Sequence, residues 1–210
     1  LQYCNELQAD YSSMSRVKPP LRIGIPPMLS TVFFPELLTA FHQDYPEIAV
    51  VLEEYGSVRA CDLVQNDTLD LALVNMEQYN IDKFHNVVLA NDQVVFCVNK
   101  DHRLADKEIV TTKEMSKELL IFFNADSVQN QLLKTRFEMD GYIPNIVMRS
   151  SQIYTTLQFI KTGKYSCFLY SSMLDKFTDS EITGIPLNPP IHIKIGIIWK
   201  KGKYISGDMQ

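Results

Sequence analysis

Residues 21–74 read LRIGIPPMLSTVFFPELLTAFHQDYPEIAVVLEEYGSVRACDLVQNDTLDLALV. Three apolar runs of strand length, residues 21–25, 48–53 and 69–74, are separated by two runs with helical spacing. In the first of these, Phe34, Leu37, Leu38, Phe41 and Tyr45 fall at i, i+3, i+4, i+7 and i+11, the spacing of one buried helix face. Pro35 interrupts that run. It fits best in a first turn, so the helix either starts just before it or bends there. The second helical run, residues 57–65, is shorter. Strands alternating with helices in this way build α/β units on mainly parallel sheets.

The alternation continues outward. Residues 87–98 are apolar and extended, and 119–123 form another strand. Asp126 or Ser127 caps a helix that runs to Met139, with Gly141 at the position after its end. A strand follows at 145–148. Ser150 or Ser151 then caps a helix carrying Ile153, Leu157 and Ile160 in register and ending at Gly163. Residues 166–170 are a strand, Ser171-Ser172 open a short helix, and extended runs at 182–187 and 192–199 flank Asn188-Pro189-Pro190. Upstream, Tyr3, Leu7, Tyr11 and Met14 recur at helical spacing, the end of a helix begun earlier, and residues 15–20 form a basic linker closed by two prolines. The chain opens on Leu1 and reads as part of a longer polypeptide.

Composition narrows the function. With 210 residues, 46% hydrophobic and 21% charged, the chain can fill two modest lobes. Its net charge of −5 argues against a surface built to grip DNA phosphates, and Lys200, Lys201 and Lys203 read as a solvated turn. No apolar stretch approaches the ~20 residues needed to cross a bilayer, and residues 1–20 lack the apolar core of a signal peptide. Cys4, Cys61, Cys97 and Cys167 are widely spaced and read as reduced, mostly buried thiols, with no resolving partner nearby. His42, His85, His102 and His192 are scattered, with no metal-ligand spacing, and Asp101-His102 reads as a turn. Without a nucleophile motif, P-loop or dinucleotide fingerprint, the chain is expected to be no enzyme and to need no metal or cofactor.

Taken in order, several segments carry a resemblance. They are LRIGIPP from Leu21, Pro35-Glu36-Leu37-Leu38 with Phe41 and Tyr45-Pro46, VVLEEYGS ending at Ser57, LDLALV from Leu69, DHRLA from Asp101, and Gly163 ahead of SCFLY. From Leu21 to Trp199 the chain resembles the effector domain of LysR-type transcriptional regulators, and residues 1–14 would match the end of the family's linker helix. It departs from the pattern at Arg103, where Pro is usual, and at Lys164-Tyr165, which replace a small residue and a second Gly. Asp67 stands where most relatives have Gly, so Asn66-Asp67 must make that turn. After Ser206 little remains to form the family's final helix.

The resemblance implies two Rossmann-like lobes joined by two crossing strands, as in periplasmic binding proteins, with an effector cleft between them. The crossings would lie near Gln93-Val94 and Leu187-Asn188. One lobe would hold residues 21–92 plus 189–210 and the other 93–188, after a linker at 1–20. In such folds ligands sit where strands end and helices begin, and helix N-termini favour anions. Candidate ligand-binding residues are therefore Met28, Leu29, Ser30 and Thr31 in the first loop, then Ser57, Asn124, Ser127, Ser151 and Gln152. Each polar one is also explained as an ordinary helix cap, and for any single residue that reading outweighs the ligand role. Ser57 leads, because the family commonly uses a hydroxyl there. Pro26, Pro27, Met28 and Leu29 either meet an apolar part of the effector or pack inward, and Arg149 could pair a carboxylate or lie free on the surface.

The implied partners are a small anionic effector, a second copy (tetramers in the full-length protein) and DNA, the last only through an N-terminal helix-turn-helix absent from this chain. The dimer contact would involve Phe33, Leu37 and Phe41. No membrane is implied, and the location would be cytoplasmic. An extracytoplasmic solute-binding protein of the same fold is the alternative, and a two-lobed dehydratase or deaminase has less support. The charge balance makes a direct prediction: at physiological salt, submicromolar chain gives no specific gel shift with duplex DNA. A sequence-specific shift by this chain alone would contradict it.

Overall fold

The computed structural model describes residues 19–77, 80–177 and 180–202. The expected helix over 1–14, most of the linker, Cys4, Lys203 and the segment after Ser206 lie outside the described residues.

The first half begins with β1 (Leu21–Ile25), α1 (Pro27–Asp44), β2 (Val50–Glu54), α2 (Ser57–Gln65) and β3 (Leu71–Asn75). Strand β1 lies between β2 and β3, parallel to both. Helix α2 covers them, with Ala60, Cys61 and Val64 packed against Leu69, Ala72 and Val74. The turn after α2 rests on Asp67 at φ 58, a left-handed conformation that Asp tolerates. Arg22 on β1 holds this turn: its Nη2 donates to the Asp67 carbonyl and to the Asp70 carboxylate, each at 2.9 Å.

Helix α1 rules out one of the two readings of Pro35, a helix start just before it. It starts at Pro27, where a missing N–H costs nothing, and Pro35 lies well inside it. The buried anchors are Met28, Leu29 and Val32 near its start. Phe34, Leu37, Leu38 and Phe41, expected as a buried face, are only half-buried. They stand over Leu21, Ile23 and Val50 without closing on them, which leaves an apolar groove of about 230 Å³.

The second half is reached through β4 (Phe84–Asn99), followed by β5 (Val110–Thr111), α3 (Thr112–Met115), β6 (Leu119–Phe122), α4 (Val128–Met139), β7 (Ile146–Arg149), α5 (Ile153–Lys161), β8 (Tyr165–Tyr170), α6 (Ser171–Lys176), β9 (Ile182–Asn188) and β10 (His192–Lys200). The strand order is β2-β1-β3-β10-β4-β8-β6-β7, with β9 also alongside β4. Up to Gln93, β4 pairs with β10; from Val94 onward it pairs with β8 and β9. The sheet is therefore mixed where a mainly parallel one was expected. The sets β2-β1-β3 and β8-β6-β7 are parallel, and the strands that join the halves run against them. Phe96, Phe122, Phe137 and Phe168 fill the second half, with Phe122 edge-on to Phe168 at 5.6 Å.

Helices α4 and α5 end as their glycines indicate, with Gly141 at φ 73 and Gly163 at φ 75. Their starts differ from expectation. Ser127 holds the N-cap position of α4 but makes no side-chain capping bond. The N-cap of α5 is Gln152, whose N–H donates to Ser150 Oγ at 3.1 Å. Cys97 and Cys167 face each other in register on β4 and β8, a pairing hidden by their separation in sequence. Both are buried, and burial pushes the Cys167 thiol well above its ordinary range and that of Cys61 up to about 12. Protonated thiols are poor nucleophiles. Among the described residues no helix is long and apolar enough to cross a membrane.

Gly196 sits at an irregularity in β10, where a Cβ would lie 2.6 Å from the Val87 carbonyl oxygen and press on the Met76 sulfur. Gly196→Ala is expected to cost about 1–3 kcal/mol in urea unfolding, as overpacking does. An unchanged midpoint would show that β4 and β10 can part at this point.

Candidate functional site

The ends of β1, β2 and β8 and the starts of α1, α2 and α4 surround a cleft of about 510 Å³ between the halves. One wall carries Pro26, Pro27 and Met28 together with Tyr55, Gly56 and Ser57; the other carries Phe123, Asn124, Asp126, Ser127, Ser151 and Tyr170.

Of the residues proposed from sequence, Met28, Ser57, Asn124, Ser127 and Ser151 line this cleft. Leu29, Ser30, Thr31 and Gln152 do not. The reason lies in α1, which is helical from Pro27, so its successive side chains point in different directions. Leu29 is fully buried in the core. The Ser30 hydroxyl donates to the Glu54 carboxylate at 2.7 Å, and that of Thr31 to the Pro27 carbonyl at 3.0 Å, a back-bond within the helix. Gln152 is exposed at the N-cap of α5. Arg149 donates weakly to the Phe123 carbonyl at 3.4 Å and does not line the cleft.

Ser57 departs from one of the two roles considered for it, that of a cap. It is the first residue of α2 and Gly56 is the N-cap, so the hydroxyl does not cap its own helix. Ser57 is 3% exposed, and its Oγ accepts the Asn75 backbone N–H at 3.0 Å, which ties α2 to the end of β3. Asn75, itself buried, bonds the other half: its Nδ2 donates to the Tyr170 hydroxyl at 3.2 Å. Its Oδ1 accepts the Glu77 N–H at 3.1 Å, which fixes the orientation of the amide. Burial pushes the Tyr170 phenol above its ordinary range, so it stays protonated. Both hydroxyl oxygens thus accept from Asn75, and each keeps its own proton to donate. The sequence reading missed Asn75 and Tyr170, because a lone polar residue at a strand end has no periodicity to mark it.

Charge enters at the margins. Arg59 stacks over the Tyr55 ring at 4.7 Å, and Glu54 lies beside it on the same wall. Asp126 accepts the Gly56 N–H across the cleft at 2.7 Å. A further contact joins α6 to α1, where Lys176 Nζ donates to the Val32 carbonyl and the Glu36 carboxylate, each at 2.7 Å. His102 lies away from the cleft in the turn after β4, 3.1 Å from Glu118. Among the described residues no three His, Cys, Asp or Glu side chains converge as metal ligands would.

Comparison with known proteins agrees with this architecture. The family model described as LysR substrate binding domain matches residues 15–210. An uncharacterized HTH-type transcriptional regulator of Bacillus subtilis, YwbI, is 30% identical over 187 residues, covering 89% of this chain and 62% of the relative. The transcriptional dual regulator GltC of the same organism is 20% identical over 89% of this chain and 62% of its own length. The chain therefore spans 62% of the length of these relatives. Among solved structures, the regulatory domain of Synechocystis CcmR in complex with 2-PG aligns with a TM-score of 0.80 at 22% identity, covering 92% of this chain and 93% of that one. The effector-binding domain of QuiR in complex with shikimate aligns at 0.75 and 17% identity, covering 91% of each. At these identities the structural likeness is one of fold: two lobes with a cleft between them. With the family model matched from residue 15 to residue 210, the chain belongs to the LysR substrate-binding domain family.

Proposed function

We propose that the chain is the effector-sensing part of a DNA-binding transcriptional regulator, and that a small anionic metabolite binds between its lobes. The observation that carries this reading is the pair of hydroxyl donors, Ser57 and Tyr170, oriented by one buried residue, Asn75. An acceptor such as a carboxylate oxygen suits such donors, and their low-dielectric surroundings strengthen the bond. Pro26, Pro27, Met28 and Phe123 offer a surface for an apolar portion. A volume of about 510 Å³ fits a small metabolite.

In this reading residues 21–92 plus 189–210 move against residues 93–188, pivoting where β4 changes partners and in the segment between β9 and β10. A guest that contacts both lobes favours one angle between them. The change reaches a helix-turn-helix domain elsewhere in a cytoplasmic protein by altering how the domains pair. Ser127 and Ser151 are second-rank contacts, and Asn124 borders the entrance.

Pairing is assigned to α1. Leu37 and Phe41 border the half-open groove and Phe33 lies on the same helix, so a second copy covering them would bury apolar surface left accessible in one chain. Light scattering at high protein concentration is expected to report a dimer that Leu37→Asp converts to monomer. A strictly monomeric profile of the unmodified chain would remove this assignment.

The ligand role is tested on a carboxylate identified by thermal-shift screening. Ser57→Ala and Tyr170→Phe should each weaken its binding by about tenfold or more, the expected cost of losing a bond to a charged group. Ser57→Ala should also cost about 1–3 kcal/mol of stability, because the Asn75 N–H loses its acceptor. A stability loss with affinity unchanged in both variants would leave these hydroxyls a structural part only.

A further inference from the structure

The cleft carries a carboxylate of its own. Gly56, the N-cap of α2, stands where unpaired N–H groups and a partial positive charge favour an anion, and its N–H already donates to Asp126 of the opposite lobe at 2.7 Å. The approach is close. A Cβ on Gly56 would lie 2.5 Å from the Asp126 carboxyl carbon and 2.6 Å from its carbonyl carbon, both inside van der Waals contact. The residue that holds the anion position thus lacks a side chain where the two lobes touch. Ser57, next in sequence, lines the same cleft, so a guest carboxylate bonded to its hydroxyl would lie beside the Asp126 carboxylate and be repelled by it.

We propose that Asp126 is a tethered competitor for the cleft's anion position: its carboxylate latches the lobes together through Gly56, and an anionic effector must displace it to bind. Binding and lobe movement are then coupled by a single exchange, the guest's carboxylate for that of Asp126. The exchange makes no covalent bond. It also filters guests, since an anion that meets only the Gly56 N–H gains nothing over Asp126, and one that also reaches Ser57 and Tyr170 does. This inference rests on the cleft being the effector site, but its test needs no identified effector.

The probe is acetate, the severed side chain of aspartate. Spin labels are placed on cysteines introduced at Gln65 and Lys134, exposed positions on α2 and α4, with Cys4→Ser as background and Cys61, Cys97 and Cys167 buried. In the full chain Asp126→Ala should lengthen the distance between labels, and acetate should shorten it again, whereas chloride at equal ionic strength should not. The unmodified aspartate should make the distance indifferent to acetate. Gly56→Ala should also lengthen the distance, with no rescue, because the obstruction is the Cβ itself. The Gly56 amide proton should move upfield in Asp126→Ala and return with acetate. Equal distances in Asp126→Ala and the unmodified chain, or an acetate response of the same size in both, would overturn the proposal. Circular dichroism and a thermal melt confirm that each variant is folded. If metabolite screening finds no effector, the acetate result is unaffected. If an effector binds at Ser57 while acetate rescue fails, the competitor role alone falls.

Discussion

One strand belongs to both halves of this molecule, and most of what the cleft can do follows from that. Strand β4 spends its ladder bonds on β10 as far as Gln93 and on β8 and β9 from Val94 onward. Its burial changes at the same place, from a largely exposed segment to six consecutive buried residues, Val94 to Asn99. In the proposed lobe movement a backbone satisfied on both sides of this switch point twists there without losing a ladder, and the return between β9 and β10 is the second pivot. The strand ends and helix starts of the two lobes face each other beside these crossings, which is why the polar groups collect there.

What faces the cleft is a set of donors held by buried partners more than an array of charges. Asn75 contributes a backbone N–H to Ser57 and a side-chain amide to Tyr170, and its own carbonyl is satisfied by Glu77. Leaving any of these unpaired inside the protein would cost about 1–3 kcal/mol, so the network holds its geometry before any guest arrives. The contacts that join the two halves differ in kind. Asn75 to Tyr170 is neutral and deep, Asp126 to Gly56 is charge-assisted at the mouth, and Lys176 to α1 lies outside the lining. The proposed lobe movement would exchange or break them in some order, and the charge-assisted one is the one a guest anion would replace.

Periodicity made the frame legible. The limits of β1 and α2 were read from apolar spacing, Gly141 and Gly163 hold the left-handed turns their type suggested, and Asp67 holds the one that the resemblance implied. The resemblance supplied the two lobes, which no spacing rule reveals. Local rules failed where the third dimension decides. Asp126 and Ser127 looked like caps, but Asp126 bonds a residue 70 positions away and Ser127 makes no capping bond. The partners Asn75 and Tyr170 are 95 residues apart, and Cys97 meets Cys167 only because β4 pairs with β8. In the first loop Pro27 starts the helix, so Leu29 packs into the core, one of the two readings left open for it, and the Ser30 and Thr31 hydroxyls bond the Glu54 carboxylate and the Pro27 carbonyl.

The polar cleft between the lobes and the apolar groove beside α1 are both concave sites that a small molecule could enter. Placing the effector in the first is the central claim. The most direct measurement is a map of backbone amide shifts, recorded as a carboxylate that stabilises the chain is titrated in. The account predicts that the largest shifts fall on Gly56, Ser57, Asn75, Ser127 and Tyr170, on both sides of the cleft at once. Shifts confined to Leu37, Phe41 and Val50, with those five amides unmoved, would contradict it.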